Sequence, residues 1–181
     1  MNPHHFDPDP VGSALVIVYD ACEGRLRADG TPAVMHPLAV MRLVHQADSR
    51  DPVTLAVALL HDVLEDMHRD QRTWEERIRT GLGDEVLRLV RLLTDDMALD
   101  AVARKSQQLA RMPALPRALR TIKLADRLAN LRAPRPDWSL ARCRLYAAHT
   151  RALLALCREA NPGLATALVH QLSRAPWGDP S

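Results

Sequence analysis

The sequence predicts an all-α fold, a bundle of about eight to ten helices that forms a single domain over residues 1–181. Ala, Leu and Arg dominate the chain, whereas glycine occurs only 7 times in 181 residues. No alternating polar and apolar pattern continues beyond about four residues, so no half-buried strand is expected. A hydrophobic content of 47% and a charged content of 25% are typical of a globular domain with one sizeable core.

Prolines and capping residues indicate where the helices begin and end. Asp51-Pro52 and Asn161-Pro162 each place a good N-cap residue before a proline that the first helical turn tolerates. Asp29-Gly30 and Pro32 predict a loop over 25–37. We expect flexible ends at 1–9 and 175–181. The predicted helices cover about 10–23, a segment from 36, 51–66, 73–80, 81–93, 98–111, 117–132, 138–159 and a segment from 161.

Charge, hydropathy and cysteine content exclude several classes of protein. The apolar runs are too short for a transmembrane helix, and the start of the chain lacks the plan of a signal peptide. Cys22, Cys143 and Cys157 include no CxxC pair, which argues against a disulfide framework and fits a reducing cytoplasm. A net charge of +2 does not indicate nucleic-acid binding. Residues 101–151 nevertheless hold twelve Lys or Arg and two Asp, which indicates either attraction of a polyanion or the arginine bias of a GC-rich genome.

The stretch HDVLED at 61–66 follows the apolar run LAVALL directly. Acidic side chains are rarely buried unless they are paired or bind a metal. In a continuous helix His61 and Glu65 form one row, and Asp62 and Asp66 form the neighbouring row, so that all four can face one pocket.

Two further segments offer partners for this stretch. The apolar sequence IKLADRLANL carries Asp126 and Asn130 four residues apart, and His36 opens the second predicted helix. Histidine together with carboxylate is a ligand set for a divalent metal, and the donor types alone leave Mn, Fe, Zn and Ni open.

Five segments occur in an order that resembles a known family. They are HPLAV at 36–40, ALLHDVLED at 58–66, LVRLLTDD at 89–96, ARKSQQ at 103–108 and IKLADRLANLR at 122–132. Together they resemble the HD-domain hydrolase of the RelA/SpoT family, above all its stand-alone small alarmone hydrolases such as the metazoan SpoT homologue. The resemblance extends over about 14–172.

This resemblance implies a metallohydrolase. It implies that one metal ion, usually Mn²⁺, is held by four side chains, His36, His61, Asp62 and Asp126. It also implies that Glu65 and Asp66 form a catalytic acidic pair that shares water activation and proton transfer to the leaving group. The implied substrate is ppGpp or pppGpp, which loses its 3′-diphosphate as pyrophosphate and leaves GDP or GTP.

The resemblance also suggests substrate contacts. Trp138, Arg142 and Tyr146 follow one another at four-residue intervals, and we expect Arg142 and Tyr146 to meet a substrate phosphate. The alternative is an aromatic stripe that faces the core beside a snorkelling arginine. Asn130 is expected at the nucleotide sugar, and Arg27 could stack on the purine.

Three basic residues allow two interpretations. Lys123, Arg127 and Lys105 are each as consistent with a structural ion pair as with a phosphate contact. Lys123 is retained among the candidate substrate-binding residues.

The chain departs from the family pattern around the expected base and phosphate pockets. Ala28 and Ala33 replace a Lys and a Tyr of the family loop, Met67 replaces a Thr, and Ala101 aligns with a Lys of the animal enzyme. The base of the substrate is therefore left open: it could be guanine, as in ppGpp, or adenine, as in ppApp. Hydrolysis of another nucleotide by an HD enzyme, and an HD module that senses a nucleotide without cleaving it, are the competing functions. The intact Glu65 and Asp66 argue against the sensor, and a homodimer is left open.

Overall fold

The structure is a computed structural model that describes residues 9–47, 50–133, 136–174 and 176–177. Over these residues the chain forms nine α-helices and two short 3-10 turns, with one isolated bridge between Leu26 and Pro32 and no strand. The prediction of an all-α fold is therefore confirmed. The helices are α1 Pro10–Cys22, α2 Met35–Gln46, α3 Pro52–Leu60, α4 Val63–Asp66, α5 Gln71–Leu93, α6 Ala101–Arg111, α7 Arg117–Arg132, α8 Leu140–Cys157 and α9 Pro162–Leu172.

The capping residues act as the sequence predicted. The Asp51 carboxylate accepts hydrogen bonds from the backbone of Val53 and Thr54, and Asn161 accepts one from Leu164. These contacts satisfy amide groups that a helix leaves without partners at its start. They fix where α3 and α9 begin.

The third helix is shorter than predicted. It ends at Leu60 and does not continue through Glu65 or Asp66, because the backbone breaks at Asp62 with φ −107° and ψ −6°. The His61 Nδ1 lies 2.7 Å from the carbonyl oxygen of Ala58, which would accept the Asp62 N–H in a regular helix. The last turn, α4, is therefore separate from α3, and HDVLED does not lie on one continuous helix.

Gly83 divides the longest helix. The helix α5 runs from Gln71 to Leu93, but Gly83 has φ 84° and ψ 172°, which only glycine adopts readily. The predicted break at GLGDE is therefore confirmed as a sharp kink.

The core lies between α3 and α7. Every residue of α3 from Thr54 to Leu60 is buried, and α7 is buried from Thr121 to Ala129. The helices α1, α2 and α5 pack around α3, whereas α2, α8 and α9 pack around α7. No helix in the described part of the chain is long and apolar enough to cross a membrane. The end of α3 meets the middle of α7, and this junction holds the candidate site.

Asp9 and Trp177, at the two ends of the chain, each make specific contacts. Asp9 caps α1. Trp177 is buried, and its indole N–H donates to the carbonyl of Leu131 over 3.0 Å. The expectation of flexible ends stays a prediction at the described residues. Its remainder, residues 1–8, 175 and 178–181, lies outside the described residues.

The three cysteines are unpaired, as the sequence predicted. Cys143 and Cys157 are buried small side chains, whereas Cys22 is only half-buried.

Candidate metal centre and active site

Four side chains from three parts of the chain converge at the junction of α3 and α7. His36 lies in the first turn of α2, His61 and Asp62 lie at the break after α3, and Asp126 lies in the middle of α7. One potential ligand atom of each residue lies within 4.8 Å of those of the other three. The structure therefore brings together the four residues that the sequence assigned to a metal.

The spacing of these atoms fits a single coordination site. His36 Nε2 lies 3.4 Å from Asp62 Oδ2 and 3.3 Å from Asp126 Oδ1. His61 Nε2 lies 3.1 Å from Asp62 Oδ2 and 3.8 Å from Asp126 Oδ1. Ligands that share one ion at about 2.1 Å are separated by about 3.0–3.4 Å in tetrahedral or octahedral geometry.

The imidazole of His61 is oriented as a ligand. Its Nδ1 is 2.7 Å from the Ala58 carbonyl and donates its proton there, which leaves the lone pair on Nε2. Nε2 is fully buried, faces the carboxylates and has no hydrogen-bond partner. A buried nitrogen of this kind needs a partner, and a divalent cation would supply it.

The charges of the cluster are mutually stabilising. Burial lowers the pKa of His36, but the carboxylates of Asp126 and Asp62 outweigh burial and raise it to about 9. Burial raises the pKa of Asp62, but His61 and His36 hold it well below the usual range of a carboxyl group. A divalent metal ion would displace the imidazole protons on binding, and the two carboxylates and two imidazoles would then form a donor set suited to it.

The acidic pair is divided between two environments. Glu65 is half-buried, and its Oε1 accepts the backbone N–H of Asp95 over 2.8 Å. Burial raises the pKa of Glu65 to about 7, although the nearby Lys123 lowers it. Asp66 is exposed and forms an ion pair with Arg25 at 3.1 Å. Burial and the charge of Asp62 raise the pKa of Asp66, whereas Arg25 opposes the rise.

A cavity of about 210 Å³ opens over His36 and Asp62. Arg27 and Asn130, which the sequence analysis expected at the purine and the sugar, both line it. Asn130 Nδ2 donates to Asp126 Oδ1 over 2.6 Å, and Arg27 Nη2 donates to Asn130 Oδ1 over 3.4 Å. Both candidate substrate residues are therefore linked by hydrogen bonds to Asp126, one of the four candidate metal ligands.

Arg25 also lines this cavity, and the sequence interpretation missed it. The loop folds back on itself, because Arg27 N–H donates to the Thr31 carbonyl and Ala33 N–H donates to the Arg25 carbonyl. Arg25 and Arg27 are two residues apart beside the Leu26–Pro32 bridge. Alternation along an extended segment was the signal that could have identified Arg25.

Lys123 and Arg127, two basic residues in the middle of α7, are both buried. Lys123 is 2% exposed, and its charge acts on Glu65. Arg127 is 3% exposed and donates to Gln108 Oε1 over 2.6 Å. This contact favours the structural interpretation of Arg127. Burial and the charge of Arg127 lower the pKa of Lys105, which is only half-buried.

Arg142 and Tyr146 are not among the described residues that line the cavity. Arg142 is exposed and stacks over the Trp138 ring at 4.4 Å. The Tyr146 ring packs at 5.2 Å from Trp138, and the guanidinium of Arg127 lies 5.0 Å from it. This arrangement agrees with the alternative of an aromatic stripe, and Arg127, the residue after Asp126, contacts the Tyr146 ring.

Comparisons with known proteins agree with this geometry. The HD domain family matches residues 14–156. The mouse and human proteins named guanosine-3′,5′-bis(diphosphate) 3′-pyrophosphohydrolase MESH1 are 41% and 40% identical over 105 residues, 58% of this chain. The match covers 56% of each of those proteins, so it spans little more than half their length.

A solved structure shows that the fold is shared over nearly the whole chain. It is described as a metazoan ortholog of SpoT that hydrolyzes ppGpp. It matches with a TM-score of 0.81 and 27% identity, over 95% of this chain and 96% of that chain. The chain therefore belongs to the HD-domain family, and within it is similar to hydrolases of the SpoT type, as its motifs predicted.

Proposed function

We propose that this protein is a metal-dependent pyrophosphohydrolase that removes the 3′-diphosphate of ppGpp or pppGpp. The products would be pyrophosphate and GDP or GTP. The observation that carries the proposal is a four-residue cluster of potential metal ligands, of which His36 and Asp62 line a cavity that Arg25 and Arg27 also line. Support comes from the mouse and human relatives, which are named for this activity.

The metal would be held by His36, His61, Asp62 and Asp126, and Mn²⁺ is the ion that we propose. A bound divalent ion would lower the pKa of water and neutralise charge on phosphate oxygens. The oriented lone pair of His61 and the unpartnered state of its Nε2 support this ligand set.

We propose that Glu65 handles protons during hydrolysis. Its Oε1 is occupied by the Asp95 N–H, which leaves Oε2 to accept a proton from the attacking water. A carboxyl group whose pKa is about 7 can both take and return a proton near neutral pH. We propose that Glu65 and Asp66 together move the proton from water to the 3′ oxygen of the ribose as the bond between phosphorus and that oxygen breaks.

The open face of the site is suited to the substrate. Arg25 and Arg27 bring two cations to the cavity, and guanidinium groups bind phosphate well. Asn130 lines the same cavity and would contact the sugar, and the charge of Lys123 acts on Glu65. Arg142 and Tyr146 stay proposals for a more distant phosphate, since they lie outside the lining of the cavity. A cytoplasmic location and a homodimer also stay predictions.

An adenine nucleotide, ppApp, is the second candidate substrate. Ala33 lines the cavity at the position where the family pattern carries a tyrosine. The loss of a large aromatic side chain there changes the surface that would meet the base. This replacement leaves the metal cluster and Glu65 intact.

The test is a substrate panel with purified protein. The protein is incubated with Mn²⁺, Mg²⁺ or Zn²⁺ and with ppGpp, pppGpp or ppApp, and the products are separated by nucleotide chromatography. We expect pyrophosphate and the matching 5′-nucleotide, with Mn²⁺ giving the highest rate. Binding without cleavage would identify a sensor, and cleavage of another nucleotide would identify a different HD phosphohydrolase.

A further inference from the structure

The segment ARKSQQLAR on α6 has no role in the chemistry described above, yet it supplies buried contacts beside Glu65. Gln108 is 2% exposed, and Arg111 is half-buried. Both side chains reach the loop that follows α5, where Asp95 donates its backbone N–H to Glu65.

Glu65 depends on this loop for its orientation. It lies in α4, a single turn of four residues that follows the break at Asp62. A turn this short does not fix a long side chain, so the hydrogen bond from the Asp95 N–H to Oε1 is the contact that defines where the carboxylate points.

Two side chains of α6 hold the Asp95 backbone in place. The Gln108 amide nitrogen lies 3.2 Å and 2.9 Å from the two carboxylate oxygens of Asp95. Arg111 donates to the carbonyls of Leu93 and Thr94 over 2.9 Å and 2.8 Å and forms an ion pair with Asp95. Asp95 is itself only 7% exposed, so this geometry is shielded from water.

Gln108 also joins this loop to the helix that carries Asp126. Its Oε1 accepts the Arg127 guanidinium over 2.6 Å, and Arg127 directly follows Asp126 in α7. The amide therefore donates on one side and accepts on the other. Glutamate lacks the donor, and alanine has neither group.

We infer that Gln108 is a positioning residue for the proposed hydrolysis, acting on Glu65 through the backbone of Asp95. It keeps the carboxylate of Glu65 in a fixed position relative to the metal ligand Asp126. This inference rests on the proposed function for its catalytic consequence, but its structural part is independent of activity. A small misplacement of a reacting group can cost on the order of 100-fold in rate.

The experiment compares Gln108→Ala and Gln108→Glu with wild type and with Gln107→Ala. Gln107 is the neighbouring residue on α6 and is exposed, which makes it a matched control. Four quantities are measured: hydrogen exchange of the Asp95 amide by NMR, metal content, kcat and KM. The melting temperature sets the assay temperature well below unfolding.

We expect both Gln108 variants to exchange the Asp95 amide at least about 10-fold faster, while amides of the α3 core keep wild-type rates. We expect kcat to fall by about 10-fold to 100-fold, with KM and metal content within about threefold of wild type. Gln108→Glu keeps the volume and the acceptor for Arg127, so it remains informative if Gln108→Ala does not fold. Gln107→Ala should match wild type.

Unchanged exchange of the Asp95 amide in Gln108→Glu would overturn the inference, whatever the activity. A loss of metal or a rise in KM with unchanged kcat would also overturn it. Failure of wild-type protein to release pyrophosphate would instead contradict the proposed function, and the exchange data would still decide the role of Gln108.

Discussion

Glu65 and Asp66 are neighbours in sequence but belong to two different sides of the ligand cluster, which consists of His36, His61, Asp62 and Asp126. The closed side consists of Glu65, Asp95, Gln108 and Arg127, and it is joined by short hydrogen bonds among buried groups. The open side consists of Arg25, Arg27, Asp66 and Asn130 around the cavity. The Arg25 and Asp66 side chains are 40% and 45% exposed.

The charged side chains of the two sides differ in solvent exposure, and this difference indicates how each side can act. An exposed ion pair contributes only about 0–1 kcal/mol, so Arg25 can leave Asp66 for a substrate phosphate at little cost. Breaking a buried charged network by removing one partner costs about 3–5 kcal/mol. The closed side is therefore suited to holding a proton-transfer group still, and the open side is suited to exchanging partners with a ligand.

The largest effect is expected from disrupting the four-residue ligand cluster that both sides share. Asp126→Ala deletes a ligand at the centre of α7 and the acceptor for Asn130. We expect the variant to lose bound metal and to keep less than about one thousandth of the activity. Metal content is measured by mass spectrometry alongside pyrophosphate release. Asp137→Ala, at an exposed aspartate, is the control, and full metal content in Asp126→Ala would refute the assigned ligand set.

Glu65→Gln and Asp66→Asn test whether the closed and open sides contribute differently to activity. Glu65→Gln keeps an oxygen for the Asp95 N–H but cannot accept a proton, so activity should fall by about 100-fold to 10,000-fold with metal retained. Asp66→Asn should cost clearly less, because its partner Arg25 is exposed. Steady-state rates and metal content are measured for both. Equal losses would remove the distinction between the two sides, and loss of metal in Glu65→Gln would make Glu65 a ligand.

Much of the four-residue ligand cluster that both sides share could be predicted from the sequence. His61, Asp62 and Asp126 interrupt apolar helical stretches, and a charged group in such a position needs a partner. Helical spacing alone suggested that the four groups of HDVLED share one face. The four predicted ligands do lie together, but the helix break at Asp62, where His61 Nδ1 contacts the Ala58 carbonyl, was missed.

The contacts between distant segments could not be predicted in the same way. Gln108 reaches Asp95 and Arg127 only after three helices have packed, and no local pattern distinguishes it from Gln107. Tyr146 shows the limit of local spacing, because a regular four-residue interval is compatible both with a ligand-facing row and with an aromatic stripe. The structure packs its ring against Trp138.

A smaller effect, on the free energy of unfolding at acidic pH, is expected from His149, near the closed side. Burial, followed by the charges of Arg127 and Lys105, lowers the pKa of His149 to about 4. The unfolded chain, whose histidine has a pKa near 6.5, then binds more protons than the folded chain between about pH 6.5 and pH 4, so His149 reduces stability as the pH falls through this window.

His149→Gln should therefore lose about 1–2 kcal/mol less stability than wild type between pH 7 and pH 4.5. Urea unfolding of metal-free protein at the two pH values measures this difference. His170→Gln, at an exposed histidine, should behave as wild type. An identical pH dependence in His149→Gln and wild type would show that His149 titrates normally in the folded protein.

The smallest effect should come from Arg25→Ala on the open side. Because the Arg25–Asp66 pair is exposed, its loss should change the melting temperature by no more than about 2 °C. KM for the nucleotide should rise by about threefold to tenfold with kcat nearly unchanged, since Arg25 would contribute charge to substrate binding. Added salt should raise KM more in wild type than in the variant, because ions screen an exposed charge. If kcat fell and KM stayed constant, Arg25 would act on the reacting groups, and the two sides would share the chemistry.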